Sequence, residues 1–308
     1  MSILLRLLRD AFSARRTAPQ PRQADQPDPF AAIRARADAG DLAGAIALCE
    51  NLCRQGPDGQ AASELLLNLR HAAMLQEVRQ HFPGPDYLEW LQWFHATLAP
   101  RTYLEIGVAS GQSLQHAGPQ TKAAGVDPAF SIGFPQAAWV RLFRETSDDF
   151  FARRSMQEVF GEDTVDLVFL DGLHTFDQTL RDLLNVERHC HARSVVLLHD
   201  ILPVIPETAE RERRTIFWVG DTWKLMVLLA RHRPDLNFFT IPAFPSGLGV
   251  VTGLNAASPN AAALRASLDA ICADAMNLRL ADFMTELNRH QHVIANDRQE
   301  VSSRLAPG

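Results

Sequence analysis

The stretch "LEIGVASGQSL", residues 104–114, decides the fold. A short apolar run ends in a turn carrying Gly107 and Gly111. A run this short, closed by glycine, reads as a buried strand that bends sharply at its carboxyl end, where open α/β sheets hold their ligands. Glu105 stands two residues before the turn. An acid there either meets a ligand or is an accident of the surface. A dinucleotide fingerprint places glycines as GxGxxG so that a pyrophosphate can approach the helix start. Here Gly107, Ala109 and Gly111 alternate, and no third glycine follows at the required spacing. Pyrophosphate is therefore disfavoured. Glu105 would repel it further, yet would welcome an ammonium group.

Working outward, "AAGVD", "VRLFRET", "DLVFLDG" and "SVVLLHD" read as strands, with helical patterns between them. That alternation predicts an α/β domain with a doubly wound, mostly parallel sheet. A helix over 221–232 follows, and then "NFFTI" and "LGVVTG", separated by a Pro-Ser-Gly turn, predict an antiparallel pair at one end. Upstream of the domain, residues 30–80 carry two helical patterns flanking "GPDG", a small N-terminal helical hairpin. The stretch "ARADAGDLAGAIALCENLCRQGPD" resembles a single tetratricopeptide repeat, with Ala37, Gly40, Ala45 and Pro57 near the expected places. One hairpin cannot bury its face alone, so it packs on the main domain or on a second protomer of a homo-oligomer. Residues 1–29 divide into an amphipathic helix and a flexible linker. Ile3, Leu4, Leu7, Leu8 and Phe12 form the helix's apolar stripe, and residues 1–16 suit a membrane surface, a protein partner or the chain itself. The main domain is expected over 81–290 and a polar, fraying tail over 291–308.

The 308 residues are 46% hydrophobic, ample for a buried core, and the net charge of -6 is spread along the chain. No basic field is present to attract a nucleic acid. Four cysteines are too few for a disulfide framework in this length, and Cys49 and Cys53 lack partners for a zinc set, so they read as reduced core thiols. Arg6 and Arg9 interrupt the apolar start, and no small-residue cleavage site follows. The stretch from Leu236 to Leu264 is broken by prolines, glycines and asparagines. A cytoplasmic, soluble protein is expected.

With those residues in view, "YLEIGVASGQSL" resembles the first motif of class I S-adenosylmethionine-dependent methyltransferases, with Ala109 in place of the usual middle glycine. The resemblance implies a Rossmann-like methyltransferase fold and S-adenosylmethionine as cofactor, held around Glu105, Gly107, Gly111 and Ser113. Asp127 ends the next strand in "GVDPAF", 22 residues after Glu105. It matches the family's acid that accepts hydrogen bonds from both ribose hydroxyls; a helix cap is its other reading. Ser147 and Asp148, in "TSDDFF", resemble the family's adenine contacts, and capping is again the alternative.

"DLVFLDGLHTFDQTLRDL" and "SVVLLHDILP" bring Asp171, His174, His199 and Asp200 to adjacent strand ends, a convergence of titratable groups that points to function. The run "DGLHTF", with Phe176 where an aromatic is usual, is similar to macrocin-type sugar O-methyltransferases, and the resemblance extends from about Tyr87 through Leu254. It implies a sugar or other small-molecule hydroxyl as acceptor. His174 would serve as general base, with an unperturbed pKa near about 6.5, and Asp171 would orient it. Asp171, His199 and Asp200 would hold a divalent metal such as Mg. The family's second strand end carries two aspartates, and His199 in that place leaves a softer metal open as well. Trp218, Asp221 and Trp223 either face a ring-shaped substrate or pack in the core, and "ETAERERRT", residues 207–215, is a lid or a solvated loop. Two rival readings stand beside this one, a nucleotide-dependent oxidoreductase and a non-catalytic adaptor built on a retired methyltransferase fold.

Overall fold

The computed structural model describes residues 28–55, 59–281 and 293–305. The expected amphipathic helix and most of the linker lie outside the described residues, as does the start of "GPDG". The chain divides into two compact units, one reaching His81 and including Arg213–Trp218, the other holding Phe82–Glu212 and everything from Val219 onward.

The first unit is helical: α1 Ala31–Asp38, α2 Leu42–Gln55 and α3 Gly59–His81. The chain breaks between α1 and α2 at Gly40, whose φ of 82° is left-handed. Asp41 Oδ1 then accepts from Gly44 N and starts α2. Ile33, Ala37, Ala45, Cys49, Leu69 and Ala72 form its core, so Cys49 is the buried thiol expected.

The second unit opens with α4, Tyr87–Leu98, started by a reciprocal Asp86–Glu89 capping box. Then follow β1 Thr102–Ile106, β2 Lys122–Val126, β3 Trp139–Phe143, α5 Ser147–Arg153, α6 Met156–Phe160, β4 Val165–Leu170, α7 Phe176–Glu187 and β5 Cys190–His199. After a long connection come α8 Lys224–His232, β6 Asn237–Ile241, β7 Leu248–Thr252, α9 Pro259–Ala266, α10 Leu268–Ala275 and α11 Arg298–Leu305. The seven strands lie in the order β3-β2-β1-β4-β5-β7-β6. β1 to β5 are parallel, and β7 runs antiparallel between β5 and β6, the terminal pair read from the sequence. This is the doubly wound α/β architecture expected, with the order reversing outward from β1 and β4.

Both faces are covered, which is why the central strands are apolar at nearly every position. Leu104, Ile106, Val168 and Leu170 face a core completed by Leu180 and Leu183 of α7 and Leu225 and Leu229 of α8. Tyr103, Leu167, Phe169 and Leu197 face the other way, onto Trp90, Leu91 and Phe94 of α4. Strand alternation therefore sends Glu105, two residues from Tyr103, to the α4 side.

The end of the chain corrects an expectation. Residues 293–305 do not fray: Ile294 N donates to Thr240 O, Val301 is buried, and Asn296 Nδ2 donates to the carbonyls of Pro83 and Pro85. The polar segment is held by contacts more than 200 residues away in sequence, with Asn296 Oδ1 also accepting from Trp90 Nε1. Among the described residues no helix is long and apolar enough to cross a membrane.

A buried ion network locks the edge opposite the strands' carboxyl ends. Arg233, fully buried after α8, donates twice to Glu187 at the end of α7 and twice to Asp235 before β6. Glu187 also accepts from Arg265 and from Asn255 N. Removing Arg233 leaves the equally buried Glu187 without its main partner, while Asp235 and Arg265 keep access to water. Arg233→Met is expected to cost about 3–5 kcal/mol in urea unfolding, far more than a surface arginine would. A loss under about 1 kcal/mol would show that the network is not buried in solution.

Candidate active site

The carboxyl ends of β1, β2 and β4 enclose a cleft of about 460 Å3 with the first turns of α5 and α7. Gly107 makes its floor possible. A side-chain carbon there would lie 1.9 Å from the Asp171 carbonyl oxygen, so only glycine lets the end of β1 pass against the end of β4. Gly111 also adopts a left-handed φ, and so does Ala109 at 45°, where a side chain costs about 1–2 kcal/mol. Asp127 holds this turn in place: its Oδ2 accepts from Val108 N at 3.0 Å and Ala109 N at 2.8 Å, and its Oδ1 from Ala129 N at 2.6 Å. Asp127 caps no helix, since none follows before Ser147; it braces the glycine turn and lines the cleft.

Glu105, Gly111 and Ser113, expected around the cofactor, are not among the residues that line the cleft. Glu105 is fully buried on the α4 side, accepting from Tyr103 Oη at 2.6 Å and from Ser113 Oγ. Its burial pushes the pKa up to about 8, against the opposing effect of those two hydrogen bonds. The acid before the turn braces the glycine loop from behind. Ser147 and Asp148 do line the cleft at the start of α5, whose cap is Thr146 rather than either of them.

Two further lining residues, Gln178 and Asp182, escaped the sequence reading. They lie four apart on the inner face of α7, in the stripe that also holds Thr179, Leu180 and Leu183. A polar pair inside an apolar stripe was the available signal. Gln178 Nε2 lies 3.2 Å from Ser147 Oγ, 3.1 Å from Asp148 Oδ1 and 3.1 Å from Asp182 Oδ1. Burial raises Asp182 to a pKa of about 6, offset by its bonds to Ser147 and Gln178.

At the other end of the cleft the four strand-end residues do converge. His174 Nδ1 lies 3.0 Å from Asp200 Oδ2, and its Nε2 lies 3.4 Å from Asp171 Oδ1. His199 Nδ1 lies 3.1 Å from Asp171 Oδ1 and 3.4 Å from Asp200 Oδ2. Ser246 Oγ donates to the remaining Asp200 oxygen, and the Tyr87 ring packs on His199 with centroids 4.3 Å apart. His174 and Asp200 both have left-handed backbones, at φ 55° and 58°, and Gly220 is glycine because a side chain there would strike the His174 carbonyl.

Charge settles the protonation of this cluster. Burial alone would drive both imidazoles neutral, but the Asp200 and Asp171 charges outweigh it, pushing His199 up to about 10 and His174 well above its ordinary value. Burial likewise works against the two carboxylates, yet the His199 charge holds Asp171 and Asp200 below the usual carboxylate range, with His174 adding to it at Asp200. Both ring nitrogens of His174 face carboxylates, which favour its protonated form over the neutral ring.

Asp171, His174 and Asp200 each offer a ligand atom, all within 4.8 Å of one another. The converging set contains His174 where His199 was expected; His199 stands beside it, bridging the two acids. Asp200 Oδ2 is buried and lacks a well-aligned hydrogen bond, a lone pair that a cation would satisfy. Two carboxylate oxygens and one imidazole fit a divalent ion.

Trp223 and Asp221 turn out to be structural. Trp223 is buried with Ala209 and Val227, and Asp221 caps α7 by accepting from Phe176 N while facing Arg211 and Lys224. Arg211 is further tied to Asp177, so the first part of the 207–215 stretch is anchored rather than solvated.

Residues 104–201 match the family model of a methyltransferase domain, a span that contains every residue lining the cleft. No curated protein matches the chain. Among solved structures it is similar to the O-methyltransferase TomG from Streptomyces achromogenes in complex with SAM, at 14% identity over 58% of this chain and 88% of that one, with a TM-score of 0.41. It is also similar to an O-methyltransferase from Bacillus cereus in complex with SAH, at 13% identity over 58% and 90%, TM-score 0.37. A third is the SAH-bound Podospora anserina methyltransferase PaMTH1, at 14% identity over 75% and 99%, TM-score 0.40. At these scores the three carry no argument about this chain's chemistry. The family match spans the cleft, so residues 104–201, about a third of the chain, are similar to a methyltransferase domain.

The buried Glu105 has a measurable signature. Its folded pKa of about 8 lies above its ordinary 4.5, so the folded state binds the proton more tightly. The stability this contributes is complete below about 4.5 and lost as pH rises through about 8. Relative to Glu105→Gln, the wild type should lose about 2–4 kcal/mol between about pH 5 and about pH 8.5 in urea unfolding. Parallel curves for the two proteins would place the Glu105 carboxyl in water.

Proposed function

We propose that the protein is an S-adenosylmethionine-dependent O-methyltransferase that methylates a hydroxyl on a sugar or other small molecule. One observation carries this reading: a cleft of small-molecule size runs from Asp127 at the glycine turn to the Asp171–His174–Asp200 cluster. Its lining has four carboxylates, Asp127, Asp148, Asp171 and Asp182, and neither lysine nor arginine. Such a lining favours a sulfonium and an amino acid's ammonium and opposes a pyrophosphate, which speaks for this donor over a dinucleotide.

Asp127 and the backbone at Gly107 would seat the adenosine half of the donor, with Ser147 and Asp148 at the base. Three backbone N–H groups already occupy Asp127, leaving roughly one of its four lone-pair sites for a ribose hydroxyl. The donor supplies a methyl group on positive sulfur. The chain's task is to align an acceptor oxygen with it and keep water out, effects that supply most of the acceleration in such displacements. Leu173, exposed between Gly172 and His174 at the cleft, offers an apolar contact for the acceptor.

The acceptor hydroxyl must also lose its proton, and the carboxylates beside both nitrogens of His174 disfavour the neutral ring that would take it. Asp171, His174 and Asp200 would hold a divalent cation, which would lower the hydroxyl's pKa directly. His174 ligates only as the neutral ring, so its proton leaves when the site fills. His199 Nδ1 and Ser246 Oγ keep the two carboxylates aimed at the same point. The imidazole in the set suits manganese or zinc as well as magnesium.

S-adenosylhomocysteine is expected to bind the purified protein in calorimetry, and Asp127→Ala to weaken it at least about tenfold. Equal binding by both proteins removes Asp127 from the site. With isotopically labelled donor and a panel of sugars and small-molecule alcohols, chelator dialysis should cut methyl transfer at least about tenfold, with recovery on adding manganese or magnesium. Full activity after dialysis would rule out the cation and return the proton to a protein base.

A further inference from the structure

We infer that Asn296 is a positioning residue for the charged cluster: it ties together the two loops that hold His199 and Asp200, and so sets how tightly the site grips its cation. This rests on the cation reading above and adds a determinant from the segment 293–305, outside the matched residues 104–201.

Each loop reaches the cluster from its own side. The turn between β6 and β7, residues 242–247, sends Ser246 Oγ to Asp200 Oδ1, and the Ser246 carbonyl accepts from Leu202 N at 2.7 Å. Ser246 thereby takes one Asp200 oxygen and leaves Oδ2, the one facing His174, for the cation. Gly247 follows with a φ of 78°, and a side-chain carbon there would lie 2.5 Å from Leu202 Cβ, so the turn rests directly on the chain leaving β5. Residues 83–86 lead into α4, whose first residue, Tyr87, lays its ring on His199 with centroids 4.3 Å apart. The two loops meet where Tyr87 N donates to the Phe244 carbonyl at 3.0 Å.

One side chain holds both. Asn296 Nδ2 lies 2.9 Å from the Pro83 carbonyl, 2.9 Å from the Pro85 carbonyl and 3.3 Å from the Pro242 carbonyl, while its Oδ1 accepts from Trp90 Nε1 of α4 at 2.6 Å. These carbonyls stand outside the helices and strands and take their donor from a side chain. An amide suits the place because it offers two hydrogens and an acceptor from one short side chain. Without it the carbonyls turn to water, and the loops lose their common anchor. Ser246 and Tyr87 then hold Asp200 and His199 less firmly, and removing an outer partner of a metal ligand costs about 10–100-fold in affinity.

The test measures manganese and S-adenosylhomocysteine binding by calorimetry on the full chain. Ser246→Ala should weaken manganese at least about tenfold and Asn296→Ala at least about fivefold, the double variant losing less than the product of the two. Both single variants should keep S-adenosylhomocysteine affinity within about twofold, since neither loop lines the cleft. A folded Asn296→Ala protein with unchanged manganese affinity overturns the inference and leaves the cation reading standing. Equal losses for both ligands also overturn it, because they mark a general loosening of the domain. If wild type binds S-adenosylhomocysteine but no manganese, the cation reading falls and takes this one with it. Should Asn296→Ala fail to fold, Asn296→Gln, which keeps the amide one carbon further out, decides on the same two criteria.

Discussion

The site depends on a contact that has no side chain in it. Where Gly107 leaves β1, its α-carbon passes so close to the Asp171 carbonyl that even a methyl group would be excluded. This approach joins the glycine turn to the end of β4, and with it the ligand-holding backbone to the charged cluster. A residue with a side chain at 107 would push the two strand ends apart and split one cleft into two. Asp127 completes the arrangement from the far side by accepting from the turn's own N–H groups. The loop is shaped by hydrogen bonds to a carboxylate and needs no ligand to hold its form.

Around that contact the charges are arranged in two different ways. In the cluster of Asp171, His174, His199 and Asp200, two acids face two imidazoles, which makes burial of His199 and Asp200 tolerable. In the corner of Asp148, Gln178 and Asp182 no lysine or arginine lines the cleft, and the cost of burying Asp182 is offset by its bonds to Gln178 and Ser147. Asp171 and His174 of the first and Asp148, Gln178 and Asp182 of the second line the same 460 Å3 volume.

Much of this was legible in the sequence because strand ends in a parallel sheet are found by short apolar runs and the polar residues that close them. Asp127, Asp171, His174, His199 and Asp200 all close such runs, and all reach the carboxyl edge. The antiparallel β6–β7 pair was legible from its turn. Glu105 was misplaced although the clue was present: it alternates with Leu104 and Ile106, and so faces the side opposite to theirs. In a sheet covered on both faces, the wrong side looks no more polar than the right one. Gln178 and Asp182 lay within a helix whose periodicity was read only for its apolar members. The docking of residues 293–305 had no local signal at all, since Asn296 is held by carbonyls at Pro83, Pro85 and Pro242.

Three residues without the freedom of glycine, Ala109, His174 and Asp200, hold left-handed backbones in this unit's ligand-facing rim. Each would relax if glycine replaced it, by an amount on the order of 1 kcal/mol. At Ala109 that relief is unopposed, but at His174 and Asp200 it would strand the opposite charges beside them at a larger cost, so selection for heat resistance alone would spare both and exchange only the alanine.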